Sequence, residues 1–211
     1  SDDGAIKFGT RSASAVRDSL FSDLVVTDSR YGIALFMIHG GEYSNNRFSN
    51  IRIAGGGRHA RTYPIFVDVD HRTQGPLGKI EGLTFDGLDI TTGGNIVIGG
   101  HPQSPVRDLT LSNIRMRSTG AERIQENTRK PTGNRRYRPV PGSPDYSPIE
   151  AHLVIGSARA VRLSNVDIMG AGNRAKIVLP QTQDVTIDGS PVASMGEINR
   201  PQPSGRLPRS H

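Results

Sequence analysis

Leu20-Phe21-Ser22-Asp23-Leu24-Val25-Val26 and Arg47-Phe48-Ser49-Asn50-Ile51-Arg52-Ile53 are two copies of one short pattern. An apolar residue is followed by Ser-Asp or Ser-Asn and then by a second alternating stretch. The pattern returns at Thr84-Phe85-Asp86-Gly87-Leu88-Asp89-Ile90, at Thr110-Leu111-Ser112-Asn113-Ile114-Arg115-Met116 and at Arg162-Leu163-Ser164-Asn165-Val166-Asp167-Ile168. A weaker sixth copy sits at Val185-Thr186-Ile187-Asp188-Gly189. From Phe21, the anchors Phe48, Phe85, Leu111, Leu163 and Ile187 follow at intervals of 27, 37, 26, 52 and 24 residues. The interval of 52 reads as two coils of 26, so the period is about 25 residues, in the range of a solenoid.

Each unit is built of stretches too short for a helix. Ile51-Arg52-Ile53 and Leu88-Asp89-Ile90 put apolar side chains on one face and polar ones on the other, as a half-buried strand does. Between them stand Ser-Asn, Asp-Gly or Ser-Asp, which suit tight turns because Asn, Asp and Gly accept left-handed backbone. A leucine-rich repeat would need a Leu-x-x-Leu-x-Leu frame, and a propeller blade about 40 residues. The fold class expected is therefore all-β, a right-handed parallel β-helix. In such a coil Asn50, Asn113 and Asn165 stack at one corner, as turn formers or as an amide ladder that satisfies backbone groups.

Composition agrees. Of 211 residues only 34% are hydrophobic and 5% aromatic, with 25 Gly and 14 Pro, a loop-rich β composition. No run is long enough to span a membrane, and no cysteine is present for a disulfide frame or a thiolate metal site. The chain opens on Ala5-Ile6-Lys7-Phe8, a core-like strand with no capping element before it, so N-terminal coils are expected to be missing. The β-helix is expected over 1–192, with a basic insertion at 118–150 and a C-terminal tail at 193–211. A shorter insertion around Gly55 to Tyr63 lengthens the 37-residue interval. The net charge of +6 is concentrated in Arg123, Arg129, Lys130, Arg135, Arg136 and Arg138, and in Arg200, Arg206 and Arg209 of the tail. A solvated loop, a patch facing an acidic polysaccharide and a nucleic-acid surface are the three readings of that cluster. No aromatic platform beyond Tyr137 accompanies it, which disfavours nucleic acid.

Several phrases resemble glycoside hydrolase family 28, the polygalacturonase-like enzymes. They are Ile6-Lys7-Phe8-Gly9-Thr10, the stretch from Tyr31 to Gly41, Phe48-Ser49-Asn50-Ile51-Arg52 and Tyr63-Pro64-Ile65-Phe66-Val67. Gly93-Gly94-Asn95-Ile96-Val97-Ile98 and Ser104-Pro105-Val106 extend the likeness to a little over half of the chain. The resemblance implies the β-helix fold and inverting hydrolysis by aspartates, one protonating the leaving oxygen while others activate water. Carboxyls roughly 6.5–9.5 Å apart leave room for that water. The family's signatures are Asn-x-Asp, Asp-Asp, Gly-His-Gly and Arg-Ile-Lys. Asp2-Asp3 resembles the Asp-Asp signature, with Lys7 downstream one residue nearer than usual. A second alignment sets Gly4 in the histidine's place and leaves Asp2-Asp3 as a turn. The coil of the Arg-Ile-Lys signature matches Ile33-Ala34-Leu35-Phe36, where Ala34 and Phe36 replace the charges and Arg30 stands three residues before the match. Asp2 and Asp3 are thus the implied catalytic carboxyls, with Lys7 and Arg30 near the sugar.

The residues themselves offer a second pair. Asp68, Asp70 and Arg72 alternate after Val67 and share the outer face of one strand, with His71 between them. Carboxylates at i and i+2 stand about 7 Å apart, which suits inversion, and like charges that close raise one pKa toward proton donation. The alternatives are a solvated edge paired to Arg72, or oxygen ligands for calcium. His39, at a strand-to-turn junction before Gly40-Gly41, and Arg72 join Lys7 and Arg30 as candidate substrate contacts. His59 and His101 sit in Gly-rich loops without metal-ligand spacing, so no metal and no cofactor is expected. The first expectation is a secreted or periplasmic hydrolase of pectin-like or other acidic polysaccharide, monomeric, with no nucleic-acid or membrane partner. A non-catalytic carbohydrate-binding or tailspike-like β-helix and a polysaccharide lyase on the same fold are the alternatives.

Overall fold

A computed structural model describes residues 4–9, 13–55, 62–71, 75–119, 144–170, 175–192 and 197–198. Among them there is no helix. The first repeat runs β1 (Gly4–Phe8), β2 (Ala15–Arg17) and β3 (Leu20–Thr27), and the second β4 (Tyr31–Met37), β5 (Glu42–Ser44) and β6 (Arg47–Ala54). The third is β7 (Tyr63–Val69), β8 (Lys79–Glu81) and β9 (Thr84–Thr92). Then come β10 (Ile96–Gly99) with β11 (Val106–Ser118), and β12 (Ala151–Gly156) with β13 (Ala158–Met169). The order closes with β14 (Ala175–Val178), β15 (Gln183–Ile187), β16 (Ser190–Pro191) and β17 (Glu197–Ile198).

The chain passes back and forth between two sheets. Sheet A stacks β1, β4, β7, β10, β12 and β14 in parallel, with β17 antiparallel on its last edge. Sheet B stacks β2 with β3, β5 with β6, β8 with β9, then β11, β13 and β15, also in parallel. Aliphatic residues of sheet A (Ile33, Leu35, Ile65, Val67, Ile98) meet the apolar set of sheet B (Phe48, Ile51, Phe85, Leu88, Ile114) in one buried core.

The register puts Phe21, Phe48, Phe85, Leu111, Leu163 and Ile187 in a single column, the column the sequence pattern predicts. Phe48 stacks on Phe21 at 5.1 Å and on Phe85 at 5.3 Å between ring centroids. One expectation is corrected. β11 pairs directly with β13, Leu111 against Leu163, so the 52-residue interval is one repeat carrying a long insertion and not two coils of 26. The 37-residue interval is likewise two insertions rather than one. Eight residues separate β6 from β7 against three between β3 and β4, and nine separate β7 from β8 against four between β4 and β5.

Sheet B bends twice per repeat, and each bend is a single left-handed residue. Asp23, Asn50, Gly87, Asn113 and Asn165 form one column of positive φ. Asp18, Asn45, Gly82, Asp108, Ala160 and Asp184, five residues earlier, form another. These side chains are the ones for which that backbone costs least, Ala160 (φ 57°) excepted. The expected amide ladder exists, but on the exposed face and chiefly between side chains. Asn165 donates to the Asn113 carbonyl at 2.9 Å, Asn113 to Asp86 at 2.9 Å, and Asn50 to Asp23. Gly87 interrupts it, and the carboxylate of Asp86 takes the missing amide's place.

The last repeat turns back on itself. Asp188 and Gly189, both at positive φ, form the two-residue turn of a hairpin that lays β16 antiparallel on β15. Pro191 stands on that edge, where a missing N–H blocks further pairing. At the other end β3 leaves Leu20 63% and Val25 69% exposed.

Candidate functional site

From β4 to β12 sheet A is buried on both faces, and its outer face carries the charged residues that burial makes conspicuous. In β7, Val67 and Val69 point into the core, so Asp68 points outward, and Asp70 beyond the strand end follows it. In register, Asp68 lies between Phe36 of β4 and Gly99 of β10. Asp68 is 8% and Asp70 2% exposed. A solvated edge is therefore excluded, and two carboxylates two residues apart on a strand stand about 7 Å from each other.

Asp70 is fixed at both ends. Its backbone N–H donates to the Met37 carbonyl at 3.0 Å, and its Oδ1 accepts the His71 N–H at 2.7 Å. Continuing the register two residues beyond Gly99 brings His101 opposite Asp70. The rings of His71 and His101 meet edge to face, 5.6 Å between centroids. His101 Nδ1 accepts the Gln103 N–H at 3.1 Å, which leaves the ring proton on Nε2. Burial and then the neighbouring His71 push the His101 pKa down, against the pull of Asp70, so its imidazole is neutral at neutral pH. His71 Nδ1 is buried and meets no hydrogen-bond partner among the described residues. No group of three or more His, Asp or Glu is arranged to hold a metal among the described residues.

Of the other candidates, Lys7 belongs here. Its ammonium sits 5.6 Å from the centroid of Phe36, the register neighbour of Asp68. His39, half-buried, lies two residues past β4 as His71 lies two past β7, so both are on the same edge of sheet A. Arg30 does not belong. It precedes β4 and stacks on Tyr31 at 5.2 Å, about 20 Å along the strand direction from the Asp68 level. Asp2, Asp3, Arg72 and His59 lie outside the described residues.

Two features were missed in the sequence. His101 looked like a loop histidine; only the pairing of Gly99 with Asp68 shows it opposite Asp70. Tyr146 looked like part of an aperiodic insertion, yet its ring lies on the glycine pair Gly99 and Gly156. A Cβ on Gly156 would stand 2.4 Å from the ring and one on Gly99 2.9 Å. The Tyr146 hydroxyl is 2.6 Å from Ser157 Oγ, and Gln181 Oε1 accepts from both hydroxyls. Segment 144–150 thus covers the outer face of sheet A one repeat beyond the carboxylates. Compared with known proteins, the chain matches no family model, no curated protein and no solved structure.

Proposed function

We propose that this chain folds as a right-handed parallel β-helix and acts as a secreted or periplasmic glycoside hydrolase on acidic polysaccharide, inverting the cleaved bond with aspartates. Two parallel sheets visited in strict alternation, in register over successive repeats, support the helical coil. Crossovers between parallel strands of one sheet are right-handed in about 98% of cases. The observation that carries the activity is the burial of Asp68 and Asp70 on one face, beside His71 and His101. Taking carboxylates out of water is costly, so two of them buried on one face are a feature that a repeating scaffold alone does not call for. Their spacing of about 7 Å falls within the inverting range. One would protonate the leaving oxygen while the other activates water, with Lys7 near the acidic sugar.

The non-catalytic reading, a carbohydrate-binding β-helix, draws on a different observation: Tyr146 closes the same face over Gly99 and Gly156. Both readings meet one experiment. Reducing ends and ultraviolet-absorbing unsaturated products are measured on a panel of pectic polysaccharides with the parent chain, Asp68→Asn, Asp70→Asn and Asp3→Asn. The hydrolase reading expects reducing ends without unsaturated product, and loss of turnover by about 100-fold or more in Asp68→Asn and Asp70→Asn. Full activity in both variants moves the chemistry to Asp3. Unsaturated product indicates a lyase, and binding without turnover on any substrate indicates the non-catalytic module.

A further inference from the structure

A groove that borders His101 through Pro102 and Gln103 lies where sheet A turns into sheet B in the later repeats. It encloses about 410 Å³ and is lined by Gln103, Arg107, Ser157, Arg159, Gln181 and Gln183, with the rings of Pro102 and Pro105. The volume is that of a small-ligand site. Arg107 and Arg159 are direct register neighbours on β11 and β13. Like charges directly opposite on adjacent strands, about 4.8 Å apart, destabilise a sheet unless something neutralises them. Arg159 has Asp184 at 3.2 Å. Arg107 has no such partner among the described residues. Its neighbour on the other side, Glu81, is taken by Lys79 at 2.7 Å.

The amides of the groove are set to donate. Gln181 Oε1 already accepts from Tyr146 and Ser157, so the Gln181 NH₂ is the end left to face a ligand. Gln181 and Ser157 both hold positive φ, 54° and 45°, a strained backbone for residues of their kind. Gln103 and Gln183 add two more amides. We propose that this groove binds an anionic saccharide, its carboxylate or sulfate ester on Arg107 and Arg159 and its hydroxyls on Gln103, Gln181 and Gln183. Nucleic acid fits less well, because no aromatic side chain lines the groove to stack a base. The proposal does not rest on the hydrolase reading.

The test is calorimetric titration of the full chain with trigalacturonate, a sulfated disaccharide, a neutral cello-oligosaccharide and a short single-stranded oligonucleotide. The expected result is saturable, salt-sensitive binding of one or both anionic sugars and none of the neutral one. Arg107→Gln, an exposed position, should weaken that binding at least tenfold with an unchanged circular dichroism spectrum. Arg52→Gln, an exposed arginine in a different column of sheet B, should leave it as it was. Absence of anionic-sugar binding, equal binding of the neutral sugar, an unchanged affinity in Arg107→Gln, an affinity lost equally in Arg52→Gln, or tighter binding of the oligonucleotide would each overturn the proposal.

Discussion

Sheet A and sheet B are built from the same number of repeats yet obey different rules. Sheet B has one face in the core and one in water, so its strands alternate on either side of the left-handed corner, as β6 and β9 do. Its regularity is visible outside as well: Arg52, Asp89, Arg115 and Asp167 form a column of alternating charge. Sheet A is covered on both faces from β4 to β12, and β7 is buried at every residue. Its outer face then has room for polar side chains only at a cost, and that is where Asp68, Asp70 and His101 stand. The regular sheet repeats one pattern, and the irregular one carries the buried carboxylates and the imidazole.

The contrast breaks hardest in the shared core. Phe48, fully buried between Phe21 and Phe85, should be the most costly truncation in sheet B. Phe48→Ala is expected to lower unfolding free energy by about 3–5 kcal/mol in urea titration, since neighbours held in register cannot collapse into the space. Next come two glycines, one from each sheet. Gly156→Ala in sheet A drives a methyl into Tyr146 and should cost about 1–3 kcal/mol, with a change in tyrosine fluorescence as the ring leaves its seat. Gly87 in sheet B has no atom nearer than 3.6 Å to a new Cβ. Gly87→Asn keeps a residue that tolerates positive φ and should change stability by less than about 0.5 kcal/mol. A cost at Gly87→Asn as large as at Gly156→Ala would erase the distinction between the two sheets.

How much of this could be read beforehand follows the same division. The column from Phe21 to Ile187 and the left-handed corners at Asn50, Asn113 and Asn165 were legible, because one exposed face forces period two and one bend forces Asn, Asp or Gly. The corner column at Asp18, Asn45, Gly82 and Asp108 carried the same signal and went unread. The single long repeat between Leu111 and Leu163 was misread because an insertion of about one period mimics a coil. Asp68 and Asp70 were visible as a pair by alternation alone, but their burial was not. It depends on what packs over sheet A, which no local pattern encodes. His101 needed the register of β10 on β7, and Tyr146 needed the glycines beneath it.

A smaller effect is expected at the one corner that departs from the rule. Ala160 occupies the column of Asp18, Asn45 and Gly82 at φ 57°. Left-handed backbone costs an L-residue about 1–2 kcal/mol, and glycine returns part of that as lost chain entropy. Ala160→Gly should therefore raise stability by about 0.5 kcal/mol, read as a shift of the urea midpoint at constant slope.

The gentlest test separates the sheets by pH. In sheet B, hydrogen bonds from Ser112 and Asn113, and then the charge of Arg47, hold the Asp86 carboxyl below its ordinary range. A lowered folded pKa means that the stabilisation is fully present above the unfolded value and is lost as pH falls through the folded one. In sheet A, burial lowers the His101 pKa, so the folded state resists a proton that the unfolded chain accepts. Stability should then begin to fall once pH drops below about 6.5, the ordinary histidine value. Two steps are thus expected on acidification, the first from sheet A and the second from sheet B. Asn113→Ala should flatten only the acid step below about pH 4, and His101→Gln only the step near neutrality. If His101→Gln leaves the stability profile between pH 5 and 7 unchanged, the buried imidazole is not what the neutral step reports. A first step that disappears in Asn113→Ala instead would place the titrating group on the exposed ladder rather than beside Asp70.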